Sequence, residues 1–154
     1  MNSQKRFQSI ALSLMLSAST MLAATSIKGA CDGKETDTLD GPRLLVNGSG
    51  VGTALNIGRF TYTWKVTVDL VTGLSTGGEF VLTAVAGGDT LTGAFVGSGQ
   101  PTDTTNVAQI VELISITGGT GRFKGATGRL TMKRLLDQAL GLTSGTLTGA
   151  ITLP

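Results

Sequence analysis

The sequence predicts an all-β protein, namely a single small antiparallel eight-stranded β-barrel preceded by a cleavable signal peptide. Short runs of alternating apolar and polar residues recur along the chain, as expected for strands that bury one face. Glycine-rich turns separate these runs, and the 154 residues include 23 glycines but only 3 prolines. An open sheet of so many strands would expose two edges, so closure into a barrel is favoured over a two-sheet sandwich.

Residues 1–26 are predicted to be a secretory signal peptide. Lys5 and Arg6 form a short basic region, and an apolar stretch rich in Ser and Thr follows it. Small residues at Ala24 and Ser26 mark the region in which cleavage is expected. The apolar stretch is too short and too rich in hydroxyl groups to span a membrane comfortably. We therefore expect no stable membrane span after cleavage, and a secreted or periplasmic location.

The charge balance of the expected mature chain argues against a nucleic-acid partner. The whole chain has 12 basic and 10 acidic residues, and residues 1–26 contain two of the basic residues and none of the acidic ones. The mature chain is therefore neutral, with no basic stripe to bind a nucleic acid. There is no histidine, which excludes the usual triad base and histidine metal ligands. We expect no metal and no cofactor.

Cys31 is the only cysteine, so no internal disulfide can form. A lipoprotein signal has small residues before its cysteine, and Gly29 and Ala30 supply them. It also has an aliphatic residue at the position where Lys28 stands in this chain. Lipid anchoring through Cys31 is therefore disfavoured.

Residues 27–41 are predicted to be a polar linker that precedes the barrel domain, residues 42–154. The acidic side chains of this linker lack the alternating spacing and closing glutamate of a calcium loop. They are Asp32, Glu35, Asp37 and Asp40. Within the barrel domain we expect a short strand at residues 43–46, followed by a hairpin turn at Asn47-Gly48, because Asn-Gly favours tight turns between strands.

The clearest strand is predicted between Phe60 and Asp69. Phe60, Tyr62 and Trp64 share one face of it, and polar residues alternate with them on the other face. The aromatic face is expected to form a wall of the core. Further strands are predicted at residues 80–85, 91–97, 107–117, 126–134 and 143–153, with a turn or one helical turn at 135–142.

A glycine-rich segment, GGTGRFKGATG at residues 118–128, is predicted to be a tight structural turn between two strands. Glycine adopts the positive φ values that such a reversal requires. A dinucleotide-binding loop has two residues between its second and third glycines and precedes a helix, whereas three residues separate Gly121 from Gly125 and a strand follows. The turn glycines are Gly118, Gly119, Gly121, Gly125 and Gly128.

Residues 115–128, SITGGTGRFKGATG, resemble a segment of plant allene oxide cyclases and, more loosely, a segment of dirigent proteins. The similar stretch covers about 25 residues, from Val107 to Thr131. The resemblance implies an eight-stranded antiparallel barrel of the calycin type, in which the segment is a hairpin and Phe123 packs back onto the barrel. It also implies an activity in which the shape of the barrel steers a reactive substrate, and it identifies no catalytic residue.

Four residues are candidates for the wall of a binding pocket: Glu112, Arg134, Tyr62 and Trp64. Glu112 shares a strand face with three isoleucines, so its carboxylate points into the barrel if that face is the interior. An unpaired buried carboxylate is costly, and Arg134, in phase with apolar residues of the next strand, is the expected partner. If the face points outward, Glu112 is a solvated rim residue. Tyr62 and Trp64 either stack on a ligand or, as their alternating apolar face favours, belong to the core.

The expected function is the binding of a small lipophilic molecule by a secreted barrel, with no assignable catalysis. One alternative is an isomerase, a cyclase or a dirigent-type protein that steers a lipid-like or phenolic substrate. Another is a structural protein with a filled barrel. An open-ended cavity of roughly several hundred Å³ would favour the first two functions, and Glu112 beside a second polar group in that cavity would favour steering. The sequence indicates neither the ligand nor the oligomeric state.

Overall fold

The computed structural model describes residues 22–154, so residues 1–21 of the predicted signal peptide lie outside the described residues. The described residues form eight β-strands and one short 3₁₀ helix, Gly121–Phe123. The strands are β1 (Ala24–Asp40), β2 (Arg43–Ala54), β3 (Gly58–Asp69), β4 (Leu74–Ala84), β5 (Thr90–Pro101), β6 (Val107–Gly119), β7 (Thr127–Asp137) and β8 (Leu142–Thr152). Within residues 22–154, no helix is long and apolar enough to cross a membrane.

Each strand pairs antiparallel with the next, and β1 also pairs with β8, so the sheet closes into a barrel. The predicted all-β fold of eight antiparallel strands in a closed barrel is confirmed. Closure gives every strand two hydrogen-bonded neighbours and removes the free edges of an open sheet. On β3, the side chains of Phe60, Tyr62 and Trp64 are all buried inside the barrel, as their shared face predicts.

The predicted polar linker at residues 27–41 is wrong, because these residues belong to β1, a strand of 17 residues. Strand β1 pairs with β2 from Gly29 to Asp40 and with β8 from Ala24 to Lys34. Its inward positions follow the period of two of any strand, but glycine and acidic residues occupy several of them and hide the apolar pattern. The barrel therefore includes the segment assigned to the linker, which closes the gap between β2 and β8.

The predicted hairpin turn at Asn47-Gly48 is also wrong, because both residues lie inside β2. Three alternate glycines of β2 pair directly with three aromatic residues of β3. The pairs are Gly48 with Trp64, Gly50 with Tyr62, and Gly52 with Phe60. A Cβ atom at any of these glycines would overlap the facing ring. These glycines therefore make space for side chains of the neighbouring strand instead of forming a turn.

The glycine-rich segment connects β6 to β7 through the 3₁₀ helix, which confirms the predicted turn. Gly121 and Gly125 have φ values of +55° and +72°, in the left-handed region that glycine adopts without strain. Phe123 is buried inside the barrel, as the family resemblance implies. The prediction is wrong for the other three glycines of the motif, which lie in the flanking strands: Gly118, Gly119 and Gly128. The segment 135–142 contains the end of β7, a turn and the first residue of β8.

The two ends of the barrel differ in how their interiors are filled. The open end carries the connections 41–42, 70–73, 102–106 and 138–141, and the closed end carries the connections 55–57, 85–89 and 120–126. Near the closed end, large apolar side chains fill the interior and are at most 2% exposed. They include Ile27, Phe60, Leu91, Phe123 and Ile151. Near the open end, the interior contains a cavity.

Candidate functional site

A cavity of about 250 Å³ occupies the open end of the barrel. Much of its wall is aliphatic, and the aliphatic residues include Leu44, Val46, Val66, Val68, Ile110 and Leu136. Leu44 and Val68 are only partly buried, and Leu70, which also lines the cavity, is 49% exposed. The wall thus becomes progressively exposed toward the open end, where the cavity meets the solvent.

A charged cluster, made of Glu35, Glu112, Arg134 and Thr143, lies inside the barrel at this cavity. Neighbouring strands β6 and β7 place Glu112 beside Arg134. The guanidinium donates to both carboxylate oxygens of Glu112, from Nε to Oε2 at 3.2 Å and from Nη2 to Oε1 at 2.9 Å. Such two-point pairing is strong and fixes the orientation of both side chains. The predicted Glu112–Arg134 partnership is confirmed, and both residues line the cavity.

Arg134 also binds a second carboxylate, from β1. Its Nη1 donates to Oε2 of Glu35 at 2.7 Å and to Oγ1 of Thr143 at 3.4 Å. The Thr143 hydroxyl donates in turn to the carbonyl oxygen of Leu135 at 2.9 Å. Arg134, Glu35 and Glu112 are between 5% and 6% exposed, so these contacts replace most of their hydration. The cluster therefore links β1, β6, β7 and β8 through the barrel interior.

Burial and ion pairing have opposing effects on the pKa of each charged group, and the net result is a raised pKa for Glu35, Asp37 and Arg134. The pKa of Glu35 is raised, because burial disfavours its carboxylate more than Arg134 stabilises it. Burial alone would lower the pKa of Arg134, but Glu112 and Glu35 more than offset burial and raise it, so the guanidinium stays charged. Burial also raises the pKa of Asp37, which lines the cavity. With all four groups ionised, three carboxylates accompany one guanidinium.

The prediction that Tyr62 and Trp64 belong to the pocket wall is wrong, and the core alternative describes them. Both are buried, and neither is among the residues that line the cavity. Their rings stack with centroids 5.2 Å apart and an interplanar angle of 16°. The guanidinium carbon of Arg134 lies 5.1 Å from the centre of the Trp64 ring, which is a cation–π contact. The β2 glycines leave room for these rings, which therefore pack in the core and support the charged cluster.

Two buried polar groups have no hydrogen-bond partner within residues 22–154: the Tyr62 hydroxyl and Nε1 of Trp64. The Cys31 thiol lies beside the Tyr62 hydroxyl, but the two do not meet in good hydrogen-bonding geometry. Burial raises the pKa of both Cys31 and Tyr62, so both groups stay protonated at neutral pH. A buried neutral thiol is a poor nucleophile, and we assign Cys31 no chemistry.

Glu35, Asp37 and Thr143 belong to the site, although the sequence does not mark them as site residues. The available signal is the strand period, because Glu35 and Asp37 are in phase with Ile27 and Cys31, which are both buried. No such signal marks Thr143, since its contact with Arg134 depends on the register between β7 and β8.

The closed antiparallel barrel of eight strands is a fold that this chain shares with a dirigent protein of known structure. Among solved structures, that of a pterocarpan synthase dirigent protein is similar, with a TM-score of 0.57 and 12% sequence identity. The alignment covers 98% of this chain and 100% of that chain. At this identity the similarity concerns the fold alone. The sequence matches no protein-family model and no curated protein.

Proposed function

We propose that this protein is a secreted or periplasmic barrel that binds one small lipophilic molecule in the cavity at its open end. The observation that carries the proposal is an interior cavity of about 250 Å³ with a largely aliphatic wall. Apolar walls favour apolar ligands, because burial removes apolar surface of both partners from water. An apolar cavity of about 150 Å³ holds benzene. The larger cavity here therefore suits a ring with a short side chain better than a long acyl chain.

The wall of the open half includes several small residues, and the space beside them is only partly filled. Gly73, Ser75, Gly97 and Gly99 all line the cavity. In the closed half, by contrast, β2 glycines face the rings of β3, which occupy the space that the glycines leave. Unfilled apolar volume lowers stability, so an empty cavity of this size has a cost that a bound ligand would offset.

The proposal is tested by mass spectrometry of the purified protein under native conditions, before and after organic extraction. We expect an additional mass that the extraction removes. The informative variant is Ala108→Phe, because Ala108 is buried in the cavity wall and a phenyl group there fills the cavity. The matched control is Ala94→Phe, because Ala94 lies on β5 with its side chain exposed outside the barrel.

Loss of the additional mass in Ala108→Phe, with retention in Ala94→Phe, would support binding inside the cavity. Thermal unfolding of both variants verifies that each is folded. Retention of the ligand in a folded Ala108→Phe variant would place binding elsewhere and contradict the proposal.

A second candidate function, the steering of a reaction, is favoured by the charged cluster. Glu112 and Arg134 both line the cavity, and such paired groups can orient a polar substituent of a bound substrate. The similar solved structure is that of a protein named a pterocarpan synthase. We therefore include a phenolic or lipid-like substrate among the candidates, and the cavity volume favours the more compact phenolic molecule.

Steering is tested by coupling a phenol with a one-electron oxidant in the presence of the protein and separating the products on a chiral column. We expect an excess of one enantiomer with the wild-type protein and a smaller excess with Glu112→Gln. A racemic product with the wild-type protein would contradict steering and would leave ligand binding untouched.

A further inference from the structure

We propose that the ligand of the open-end cavity is a cation, namely a compact apolar molecule that carries a protonated amine. This inference rests on the proposed binding function and adds the charge of the ligand to it.

At the cavity, negative charge exceeds positive charge. Glu35 and Glu112 contribute two buried carboxylates, Asp37 contributes an exposed one, and Arg134 is the one basic residue among those that line the cavity. With all of them ionised, the excess is two negative charges. Glu35 and Glu112 share the guanidinium. Asp37 has no side-chain hydrogen bond or ion pair within residues 22–154, so its carboxylate is available to a ligand.

Arg134 is poorly placed to bind an anionic ligand. A guanidinium has five N–H donors. Four of them are used, two on Glu112, one on Glu35 and one on Thr143. One N–H, on Nη2, is left, and an incoming carboxylate that accepted it would add a third negative charge to the excess. The cavity is therefore selective against fatty acids and other anions.

The charges at the two ends of the barrel have opposite signs. At the open end, four aspartates and one arginine occupy the connections and the strand residues beside them: Asp40, Asp69, Asp103, Asp137 and Arg43. At the closed end, three basic residues accompany one acidic residue: Arg59, Arg122, Lys124 and Asp89. Residues 22–154, with ten basic and ten acidic side chains, are thus neutral in sum but polarised along the barrel axis. The acidic mouth raises the local concentration of cations.

Two of the rim aspartates are held in place by their turns. Oδ1 of Asp69 accepts the backbone N–H groups of Val71 and Thr72 at 2.8 and 2.9 Å. These bonds lower the pKa of Asp69, so its charge persists at mildly acidic pH. Asp137 Oδ1 accepts two backbone N–H groups of its own turn in the same way. The rim charges are therefore fixed features of the open end.

An organic cation fits this site better than a metal ion. Within the part of the chain that the structure describes, no three Cys, Asp or Glu side chains are grouped as metal ligands. The remaining wall is largely aliphatic, which suits an apolar body attached to the charged group. A protonated amine has three N–H donors, and the Asp37 carboxylate is an acceptor for it.

The inference is tested with three probes of nearly equal size: 2-phenylethylamine, 2-phenylethanol and phenylacetate. Their affinities for the mature protein are measured by isothermal titration calorimetry at neutral pH. We expect the amine to bind at least about tenfold more tightly than the alcohol, since charge-assisted hydrogen bonds are roughly twice as strong as neutral ones. Phenylacetate should bind most weakly. Added salt should weaken the binding of the amine and leave that of the alcohol nearly unchanged.

The informative variant is Asp37→Asn, which removes one negative charge and breaks no contact of the charged cluster. We expect about a twofold to fivefold loss of affinity for the amine, in line with a partly exposed ion pair, and no change for the alcohol. The matched control is Asp32→Asn, on the same strand but exposed on the outer face. It should bind all three probes as the wild-type protein does.

The possible failures are distinguishable. Equal or tighter binding of the alcohol or of phenylacetate would overturn the cation preference and leave the binding function standing. An unchanged amine preference in Asp37→Asn would overturn the assignment of Asp37 as the group that receives the amine. Binding of none of the three probes would count against both the inference and the proposed function.

Discussion

The closed and open halves of this barrel use the same alternation of inward and outward residues, yet one half is solid and the other is hollow. In the closed half, glycines on β2 face aromatic rings on β3, so small and large residues complement one another. In the open half, Gly97 and Gly99 pair with Glu112 and Ile110, and a cavity of about 250 Å³ remains. The alternation of inward and outward residues is therefore compatible with both a filled and a hollow interior, and the sizes of the inward side chains decide which one forms.

The charged cluster lies between these halves and is expected to show the largest mutational effect. Arg134→Met would leave Glu35 and Glu112 buried without their common partner, at a cost of about 3–5 kcal/mol in the free energy of unfolding. Urea unfolding of the variant measures this cost. The control is Lys133→Met, whose side chain is exposed on the outer face of the same strand and should have little effect. A loss below about 1 kcal/mol for Arg134→Met would mean that the two carboxylates bind protons or water instead.

The closed half should lose more stability than the open half when a side chain is truncated. Phe123→Ala removes a fully buried ring, and we expect a loss of about 3 kcal/mol. Val68→Ala removes partly buried methyl groups from the cavity wall, and we expect about 1 kcal/mol or less. Both losses are read from urea unfolding curves. Equal losses would show that the two halves are packed alike.

Glu35 should make stability depend on pH in a direction opposite to that of most acidic residues. Its pKa is raised in the folded protein, so the proton is bound more tightly there than in the unfolded chain. The contribution of Glu35 to the free energy of unfolding is complete below pH 4.5, the ordinary pKa of the side chain. It is lost as the pH rises through the higher pKa that Glu35 has in the folded protein. Glu35→Gln should therefore flatten this part of the stability profile.

The measurement is urea unfolding of the wild-type protein and of Glu35→Gln across mildly acidic to neutral pH. Glu79→Gln is the control, because Glu79 is exposed on the outer face of β4. Parallel profiles for the wild-type protein and Glu35→Gln would contradict the raised pKa.

The smallest effect is expected at the beginning of β1, where the predicted signal peptide overlaps the strand. Ala24 and Ser26 are exposed, so removal of residues 24–26 should cost less than about 1 kcal/mol. Ile27, by contrast, is 1% exposed in the closed half and is part of its core. We therefore predict that the mature protein begins at or before Ile27, as measured by its intact mass. A mature chain that begins after Ile27 would mean that the closed half does not need this residue.

Local sequence patterns were sufficient for the fold class and for part of the site. The aromatic face of β3 and the glycine-rich turn depend on residues close together in the chain, and both predictions are confirmed. Glu112 and Arg134 were predictable as partners because an inward carboxylate on one strand requires a cation in phase on a neighbouring strand. These inferences need only the period of two and the cost of burying a charge.

Sequence patterns mislead at positions where a residue is required by its contact with a side chain on another strand. Gly48 has the local signature of a turn, but its function is to leave room for Trp64. Glu35 has the local signature of a solvated linker, but Arg134, 99 positions away in sequence, makes its burial tolerable. Neither relation is visible until the register of the barrel is known. The same limit explains why Tyr62 and Trp64 were not separable from the pocket wall by pattern alone.

Trp64 is the only tryptophan in the chain, and its ring lies against the guanidinium that supports the charged cluster. The tryptophan fluorescence of the protein therefore originates in a ring that contacts Arg134, a residue of the cavity wall. A cation arriving above Arg134, or a shift of Arg134 itself, would alter the electric field on that indole and displace its emission wavelength. A shift of this emission on addition of a probe would therefore report binding without an added dye or label.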